Sequence, residues 1–384
     1  MNTSEIDPTG IYRQLQKHLD QYPIGFPATD TGVELRLLKY FFTHEEAQVV
    51  LCLGLVHNSV KRIRRRFLRR HKIEISEEKL SEICNVLFMD GSIRRSDKAP
   101  YGYSIAFLAI GMFEFHVDSL SAELMSLMHE YFEAGFKDEF FTGALPQLRT
   151  SPHMKAIVPE HRIDIYDNMR RYVEETDQVI GVANCVCKQG EALLGSPCKQ
   201  VDDIEICIFF GEGNYLDRNR GRVISKAECL ELLDTAEKRG LVIQPGNSLQ
   251  AFCICLCCGC CCGVLTAAKK FEKPARMFAT NYYARLDPEL CNGCGVCIKR
   301  CQMDALQLSG EKPLRRAVLD LDRCIGCGLC ITTCKPGALK LGKKEKVTVP
   351  PRNIEMLYLS ILARKAGKGK MILNLLRLGL GMPL

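Results

Sequence analysis

LDPELCNGCGVCIKRCQMDALQL at 286–308 and LDLDRCIGCGLCITTCKPGALKL at 319–341 are two copies of one pattern, separated by a constant offset of 33 residues. All four cysteines of the first copy coincide with those of the second, and each copy has the spacing C-x2-C-x2-C-x3-C. Glycines within each copy leave the backbone free to adopt positive φ and to wrap closely around a bound group. The repeat therefore predicts two related metal-binding loops.

The spacing of the cysteines indicates which metal group these loops bind. A triplet C-x2-C-x2-C delivers three thiolates from one tight loop to three iron corners of a [4Fe-4S] cluster, and the fourth corner must be met from elsewhere. Zinc sites instead usually combine two C-x2-C pairs. The repeat predicts two [4Fe-4S] clusters.

Residues 284–342 resemble the bacterial-type two-cluster [4Fe-4S] ferredoxins, whose fold is a doubled βαβ unit. The resemblance implies a crossed set of ligands, in which the last cysteine of each copy serves the other cluster. One cluster would take Cys291, Cys294, Cys297 and Cys334, and the other Cys324, Cys327, Cys330 and Cys301. The chain departs from the family after the fourth cysteine, where proline is usual, because Gln302 and Lys335 stand there and Pro336 comes one place late.

A second cysteine-rich stretch, AFCICLCCGCCCGVL at 251–265, has seven cysteines between Cys253 and Cys262. Four further candidate ligands precede it, namely Cys185, Cys187, Cys198 and Cys207, and adjacent cysteines do not readily form a disulfide with each other. Three interpretations are open: one or two further Fe–S clusters, which the neighbouring repeat favours, a zinc or mixed site, or thiols without a metal. The candidate metal ligands are Cys185, Cys187, Cys198, Cys207, Cys255, Cys257, Cys258, Cys260, Cys261 and Cys262.

Composition bears on the compartment of the protein. The chain has 384 residues and 22 cysteines, and its N-terminal stretch MNTSEIDPTG lacks the pattern of a secretory signal. Cysteines at this density in a reducing cytoplasm bind metals more often than they form disulfides. We expect a cytoplasmic protein without a transmembrane segment.

The first 145 residues are predicted to be helical, with one β-hairpin over 92–107. Ser76 is a candidate N-cap for a helix that ends at Gly91. Residues 33–110 resemble a winged-helix domain in the order of their elements. KRIRRRFLRRHK at 61–72 carries eight Lys/Arg in twelve residues. Such a basic surface is typical of binding to nucleic acid, a membrane surface or an acidic protein.

The sequence predicts an α+β multidomain chain. Residues 1–145 form the winged-helix-like helical domain, 146–282 a cysteine-rich α/β unit, 283–345 the ferredoxin-like dicluster domain and 346–384 a docking tail. A proline-rich linker is expected at 142–162, and a capped helix at 226–239. The whole chain also resembles a functionally uncharacterised group of multidomain 4Fe-4S dicluster-binding proteins of anaerobic bacteria.

These features favour a ferredoxin-like electron-transfer protein, which relays low-potential electrons through the two C-terminal clusters and an additional middle-unit cluster to a redox partner protein. A multi-subunit oxidoreductase complex is a further candidate partner. Two alternatives stay open. One is a redox-sensing Fe–S regulator that binds DNA through the winged helix, and nucleic acid is the less favoured partner. The other is an Fe–S oxidoreductase that binds substrate at an open iron.

Overall fold

The fold is described from a computed structural model, which describes residues 10–96, 98–142, 145–157, 164–211, 215–311 and 313–365. The chain forms two compact units. The first comprises Met1–Ala144, Glu212–Gly221 and Tyr358–Leu384, and the second comprises Leu145–Gly211 and Arg222–Leu357. Helices and strands are mixed in the chain, as the predicted α+β class requires.

The first unit is mainly helical, with one small sheet. Its helices are α1 (Ile11–Leu19), α2 (Val33–Phe41), α3 (His44–Val50), α4 (Val60–His71), α5 (Glu77–Asp90), α6 (Phe113–Phe115), α7 (Ala122–Tyr131) and α8 (Lys137–Thr142). Its strands are β1 (Asn58–Ser59), β2 (Ile93–Arg95) and β3 (Gly102–Ile105). They pair in the antiparallel order β1-β3-β2.

Helix α5 follows from local signals in the sequence. The Ser76 side chain accepts a hydrogen bond from the Lys79 amide at the first turn, and Gly91 ends the helix with φ of 98°, a conformation that glycine adopts without strain. The predicted hairpin is also confirmed, since β2 and β3 pair from Ile93 with Ile105 onward. The order of helix, short strand, two helices and hairpin agrees with the predicted winged-helix topology, which stays a prediction.

The second unit contains a five-stranded sheet in the order β6-β4-β5-β8-β7. Its strands are β4 (Ile180–Ala183), β5 (Cys207–Phe210), β6 (Arg222–Val223), β7 (Val242–Pro245) and β8 (Cys253–Cys257). Its helices are α9 (Met169–Glu175), α10 (Val186–Leu193), α11 (Lys226–Arg239) and α12 (Gly263–Ala268). All four strand pairs are antiparallel. The expected α/β class, which implies parallel strands, is therefore wrong for this unit, and the short link from β7 to β8 allows only an antiparallel pair.

The predicted helix at 226–239 is confirmed as α11. The Ser225 side chain accepts from the Glu228 amide at 3.1 Å, as expected of the N-cap. The Glu228 carboxylate instead accepts from Arg222 at 2.6 Å, so the reciprocal bond that would complete a capping box is not formed. Cys229 is fully buried on this helix, and burial raises its pKa to about 12.

Strand β8 distributes the cysteine-rich stretch between two faces. Successive side chains of a strand point to opposite sides, and Ile254 and Leu256 belong to the hydrophobic core of this unit. Cys253, Cys255 and Cys257 therefore share the other face. The alternation of apolar residue and cysteine in CICLC is what presents three thiols on one side of the sheet.

The prediction of a linker at 142–162 is wrong for residues 145–157, the inner part of this stretch that the structure describes. Leu148 and Ser151 form isolated bridges with Gly246 and Ile243 beside β7. Arg149 and Ser151 are buried, and the Arg149 guanidinium pairs with the buried Asp167 carboxylate. Several prolines and the lack of a regular spacing of apolar residues were compatible with a linker. In the structure, however, this segment forms backbone hydrogen bonds with the edge of the sheet.

The last part of the second unit contains β9 (Tyr282–Leu286), α13 (Val296–Arg300), β10 (Leu306–Ser309), β11 (Arg316–Leu319) and β12 (Leu339–Lys343). Strand β9 pairs with β12, and β10 pairs with β11, both antiparallel. The expected doubled βαβ unit is only half correct, because residues 329–333 form turns where a second helix was expected. Thr332 and Thr333 donate from their hydroxyls to the Leu329 carbonyl, and such local bonds compete with a helix.

Residues 354–365 of the predicted docking tail are helical. The remainder of that tail, 366–384, lies outside the described residues. Within the described part of the chain, none of the helices has both the length and the apolar character to cross a membrane.

Candidate metal centres

The first cysteine cavity lies between the loop that precedes α13 and the turn that precedes β12. Its lining includes Cys291, Cys294, Cys297 and Cys334. The rest of the lining is largely apolar, with Leu286 and Leu339 among its residues. Three cysteines from the first copy of the repeat and one from the second thus meet at one place.

A second cavity repeats this arrangement with the copies exchanged. Its lining includes Cys301, Cys324, Cys327 and Cys330. The crossed grouping arises because β9 pairs with β12 and β10 with β11, which carries the last cysteine of each copy to the loop of the other. The structure therefore brings together the same two sets of four cysteines that the ferredoxin resemblance implies.

Glycines allow the backbone to approach closely behind both loops. Gly293 has φ of +67°, and a Cβ there would lie 2.3 Å from the Arg315 carbonyl oxygen. Gly326 has φ of +70°, and a Cβ there would lie 2.2 Å from the Tyr282 carbonyl oxygen. No side chain fits at either position, so glycine is required for the loops to close around their cavities.

Backbone amides point at the cysteine sulfurs from the neighbouring strands and loops. Ala317 donates to Cys291 Sγ at 3.3 Å, Ala284 to Cys324 Sγ at 3.4 Å, and Ala305 to Cys301 Sγ at 3.2 Å. Such hydrogen bonds stabilise thiolates and a negatively charged group next to them. The donor set thus fits an iron–sulfur cluster in each cavity.

Burial makes the inner thiols hard to ionise on their own. It raises the pKa of Cys327 to about 12, and it raises the pKa of Cys330 well above the usual value. Only the thiolate binds a metal, so the positive iron ions must supply the free energy that ionises these groups, and protons are released on binding.

Comparison with known proteins agrees with this geometry. Residues 290–338 match the family model of the 4Fe-4S dicluster domain. This segment is a ferredoxin-type 4Fe-4S module. None of the curated proteins compared with the chain matches it. The dicluster domain and the clustered cysteines together indicate an iron–sulfur electron-transfer role.

A compact group of four cysteines lies outside the dicluster domain, in the middle segment of the chain. The sulfur atoms of Cys198, Cys258, Cys260 and Cys261, termed here the thiol quartet, all lie within 4.8 Å of one another. Cys198 comes from the loop after α10, and the other three come from the turn between β8 and α12. Cys258 and Cys261 are buried.

A buried lysine contacts the quartet. Lys188, on α10, is 1% exposed, and its Nζ donates to Cys258 Sγ at 2.9 Å and to Cys198 Sγ at 3.3 Å. Burial disfavours its charge, but the nearby thiolates of Cys185 and Cys258 raise the pKa of Lys188 above its usual value. A hydrogen bond with Cys261, together with the Lys188 ammonium, holds the pKa of Cys258 well below its usual range.

The six remaining middle-segment cysteines that were predicted as ligands form an extended row, not a compact group. Each thiol perturbs the pKa of its neighbour in the order Cys185, Cys187, Cys262, Cys257, Cys255 and Cys207. Cys207 and Cys255 are direct partners in the β5–β8 ladder. Among the described residues, no three of these sulfurs all lie within 4.8 Å of one another.

The quartet is joined to the dicluster domain through Gln302. The Gly259 amide, between Cys258 and Cys260, donates to Gln302 Oε1 at 2.7 Å. Gln302 follows Cys301, and its side chain is buried. A Cβ on Gly259 would lie 2.4 Å from the Gln302 carbonyl oxygen, so the two backbones are in close contact.

Sequence reasoning did not identify Lys188 or Gln302 as residues of these sites. It noted Gln302 only as a departure from the usual proline. It also left out Cys253, whose thiol hydrogen-bonds with that of Cys255. The period-2 spacing of Cys253, Cys255 and Cys257 was the available signal for this last contact, whereas no pattern in the sequence marks Lys188.

Proposed function

We propose that the protein is an electron-transfer iron–sulfur protein, which carries low-potential electrons through two [4Fe-4S] clusters to a redox partner protein. The observation that carries the proposal is the pair of cavities, each lined by four cysteines from both copies of the repeat. Cys291, Cys294, Cys297 and Cys334 would bind the first cluster, and Cys324, Cys327, Cys330 and Cys301 the second. When bound, each cluster supplies one-electron chemistry that no side chain of the protein can perform.

The exposure of the cysteines supports a direction for the relay. Cys294 is exposed, whereas Cys330 is buried. Leu290 and Val296, next to the first set of ligands, are 46% and 42% exposed. The partner would therefore exchange electrons at the first cluster, where an apolar surface lies beside the shortest path to solvent.

We also propose an additional cluster in the middle segment, at the extended row of six thiols. The row offers more thiols than the four ligands that a cluster needs, and its spacing is looser than that of the quartet. Neighbouring thiols and burial raise the pKa of Cys185 and Cys257 well above the usual value, so a bound metal would have to supply the free energy that ionises them. We further propose that the chain has the four parts expected from its sequence, 1–145, 146–282, 283–345 and 346–384, and that the protein is cytoplasmic.

Metal analysis of the anaerobically purified full chain tests the proposal. Two clusters give about eight irons with an equal amount of sulfide per chain, and an additional cluster raises this to about twelve. Replacement of Cys291 or of Cys324 by alanine should each remove about four irons and one EPR signal of the reduced protein. Cys229→Ala, at a buried thiol of α11 outside these groups, should remove none. Unchanged spectra in both ligand variants would rule out the ligand assignment.

The DNA-binding alternative has less support. In a winged-helix arrangement the second helix after the short strand enters the major groove, and this position belongs to α5. The exposed side chains of α5 include Glu77, Glu78 and Glu82, which phosphates repel. On the basic helix α4, Arg64 and Arg66 donate to the protein's own Ile75 and Cys52 carbonyls. Binding to duplex DNA at moderate salt that changes with cluster oxidation would favour the regulator instead.

A further inference from the structure

The sulfur–sulfur distances of the thiol quartet differ from what a cubane requires. Cys198 Sγ lies 3.7 Å from Cys258 Sγ and 4.0 Å from Cys260 Sγ. Cys260 Sγ lies 3.4 Å from Cys258 Sγ and 3.5 Å from Cys261 Sγ. Four thiolates at about 2.3 Å from one tetrahedral zinc ion are about 3.8 Å apart. The observed separations scatter around that value.

The dicluster domain of the same chain provides an internal comparison. In a cubane each thiolate binds a different iron, so the four sulfurs surround the whole cluster and stay apart. The cysteines of the dicluster domain accordingly line two separate cavities, four cysteines to each. Among the described residues they form no group of three sulfurs within 4.8 Å of one another, whereas all four sulfurs of the quartet do.

The charge of Lys188 provides an independent argument. A buried ammonium without a negative partner is strongly destabilising, so Lys188 requires thiolate character in the sulfurs that it contacts. Lys188 is buried, and the two sulfurs to which its ammonium donates, those of Cys198 and Cys258, belong to the quartet. Four thiolates around one divalent ion leave a net charge of −2, which a buried ammonium partly neutralises. The Gln200 amide adds a further donor to Cys198 Sγ at 3.5 Å.

We propose that Cys198, Cys258, Cys260 and Cys261 bind a single zinc ion, with Lys188 as the buried counter-charge. Four protein thiolates leave no open position on the metal, which is typical of a structural site and not of a catalytic one. The ion fixes the turn at 258–261, and through Gly259 it fixes the contact with Gln302 of the dicluster domain. The proposal goes beyond the electron-transfer role, because zinc has no redox chemistry.

The test is zinc analysis of the full chain with X-ray absorption at the zinc edge. The expected result is about one zinc per chain with four sulfur ligands at about 2.3 Å. Cys198→Ala should lower the zinc content at least tenfold, whereas Cys207→Ala, in the extended row, should leave it unchanged. Cys198→His should retain the zinc with three sulfurs and one nitrogen, because histidine is also a zinc ligand.

The readouts separate this proposal from the electron-transfer role. The EPR signals of the two dicluster-domain clusters should persist in Cys198→Ala, which also shows that the variant folds. Absence of zinc, a coordination shell rich in nitrogen or oxygen, or the loss of about four irons on Cys198→Ala would each overturn the zinc site. Failure of the electron-transfer role would instead show as missing iron, with the zinc in place.

Discussion

Replacement of Gly326 by alanine should destabilise the second cluster loop far more than the same replacement at Gly337. Both glycines have a left-handed backbone, with φ of +70° and +71°. Alanine in that conformation costs roughly 1–2 kcal/mol. The surroundings differ, because nothing lies within 4 Å of a Cβ at Gly337, whereas a Cβ at Gly326 would lie 2.2 Å from the Tyr282 carbonyl oxygen.

The additional cost at Gly326 comes from a neighbour that cannot move. Tyr282 begins β9 and pairs with Lys343 of β12, so a shift of its carbonyl disturbs the ladder that joins the two copies of the repeat. Overpacking of this kind costs roughly 1–3 kcal/mol beyond the backbone strain. Because 1.36 kcal/mol corresponds to a factor of ten, the overlap alone should change the unfolding equilibrium of the loop by about fivefold to 160-fold.

The assay is the rate at which the anaerobically reconstituted protein loses its cluster absorbance in a fixed urea concentration. We expect Gly326→Ala to lose it between about five and 160 times faster than Gly337→Ala, which controls for the strain of positive φ. Gly293→Ala should behave like Gly326→Ala, since a Cβ there would lie 2.3 Å from the Arg315 carbonyl oxygen. Equal rates for Gly326→Ala and Gly337→Ala would refute the close packing behind the loop.

Three further predictions concern buried polar contacts. Gln302→Leu should leave the Gly259 amide, in the turn of the quartet, unpaired at a cost of roughly 1–3 kcal/mol. Hydrogen exchange of the 253–263 segment should then be faster than in the control variant Gln307→Leu, which changes an exposed glutamine. Asp167→Asn should destabilise the second unit by roughly 3–5 kcal/mol in urea unfolding, because it leaves the buried Arg149 charge unpaired; a loss under 1 kcal/mol would contradict the pair. Burial lowers the pKa of His18 to about 4, below its unfolded value of about 6.5. The contribution of neutral His18 to the free energy of unfolding is therefore complete above the unfolded pKa and is lost as the pH falls towards 4. Compared with a pH above the unfolded pKa, the free energy of unfolding at pH 5.5 should be lower by roughly 1.4 kcal/mol, and His18→Gln should lack this loss.

The two cluster loops were readable from the sequence because their ligands are local. Three of the four thiols of each site lie within one loop, and the spacing of Cys291, Cys294 and Cys297 is itself the geometric requirement. Helix α11 was equally local, since Ser225 and Gly240 mark its two ends. Signals of this kind need no knowledge of which strands pair.

The middle segment could not be resolved in the same way, because its grouping depends on the register of the sheet and on the loop after α10. Cys207 meets Cys255 only because β5 and β8 pair antiparallel in one particular register. Cys198 reaches Cys258 across 60 residues of chain. A one-residue slip of β8 would exchange its cysteine face for the face of Ile254. The number of cysteines was therefore visible in the sequence, but their division into a quartet and a row was not.

The glutamine after Cys301 explains why the usual proline is absent there. Proline carries no side-chain acceptor, so it could not receive the Gly259 amide that Gln302 Oε1 accepts at 2.7 Å. That amide lies in the turn that supplies three members of the quartet, while Gln302 follows a proposed ligand of the second cluster. A single side chain thus connects the two thiol systems, and a zinc ion in the quartet would hold the turn in the position that this hydrogen bond requires. The departure from the ferredoxin pattern is accordingly a requirement of the attached middle segment and not a weakening of the cluster loop.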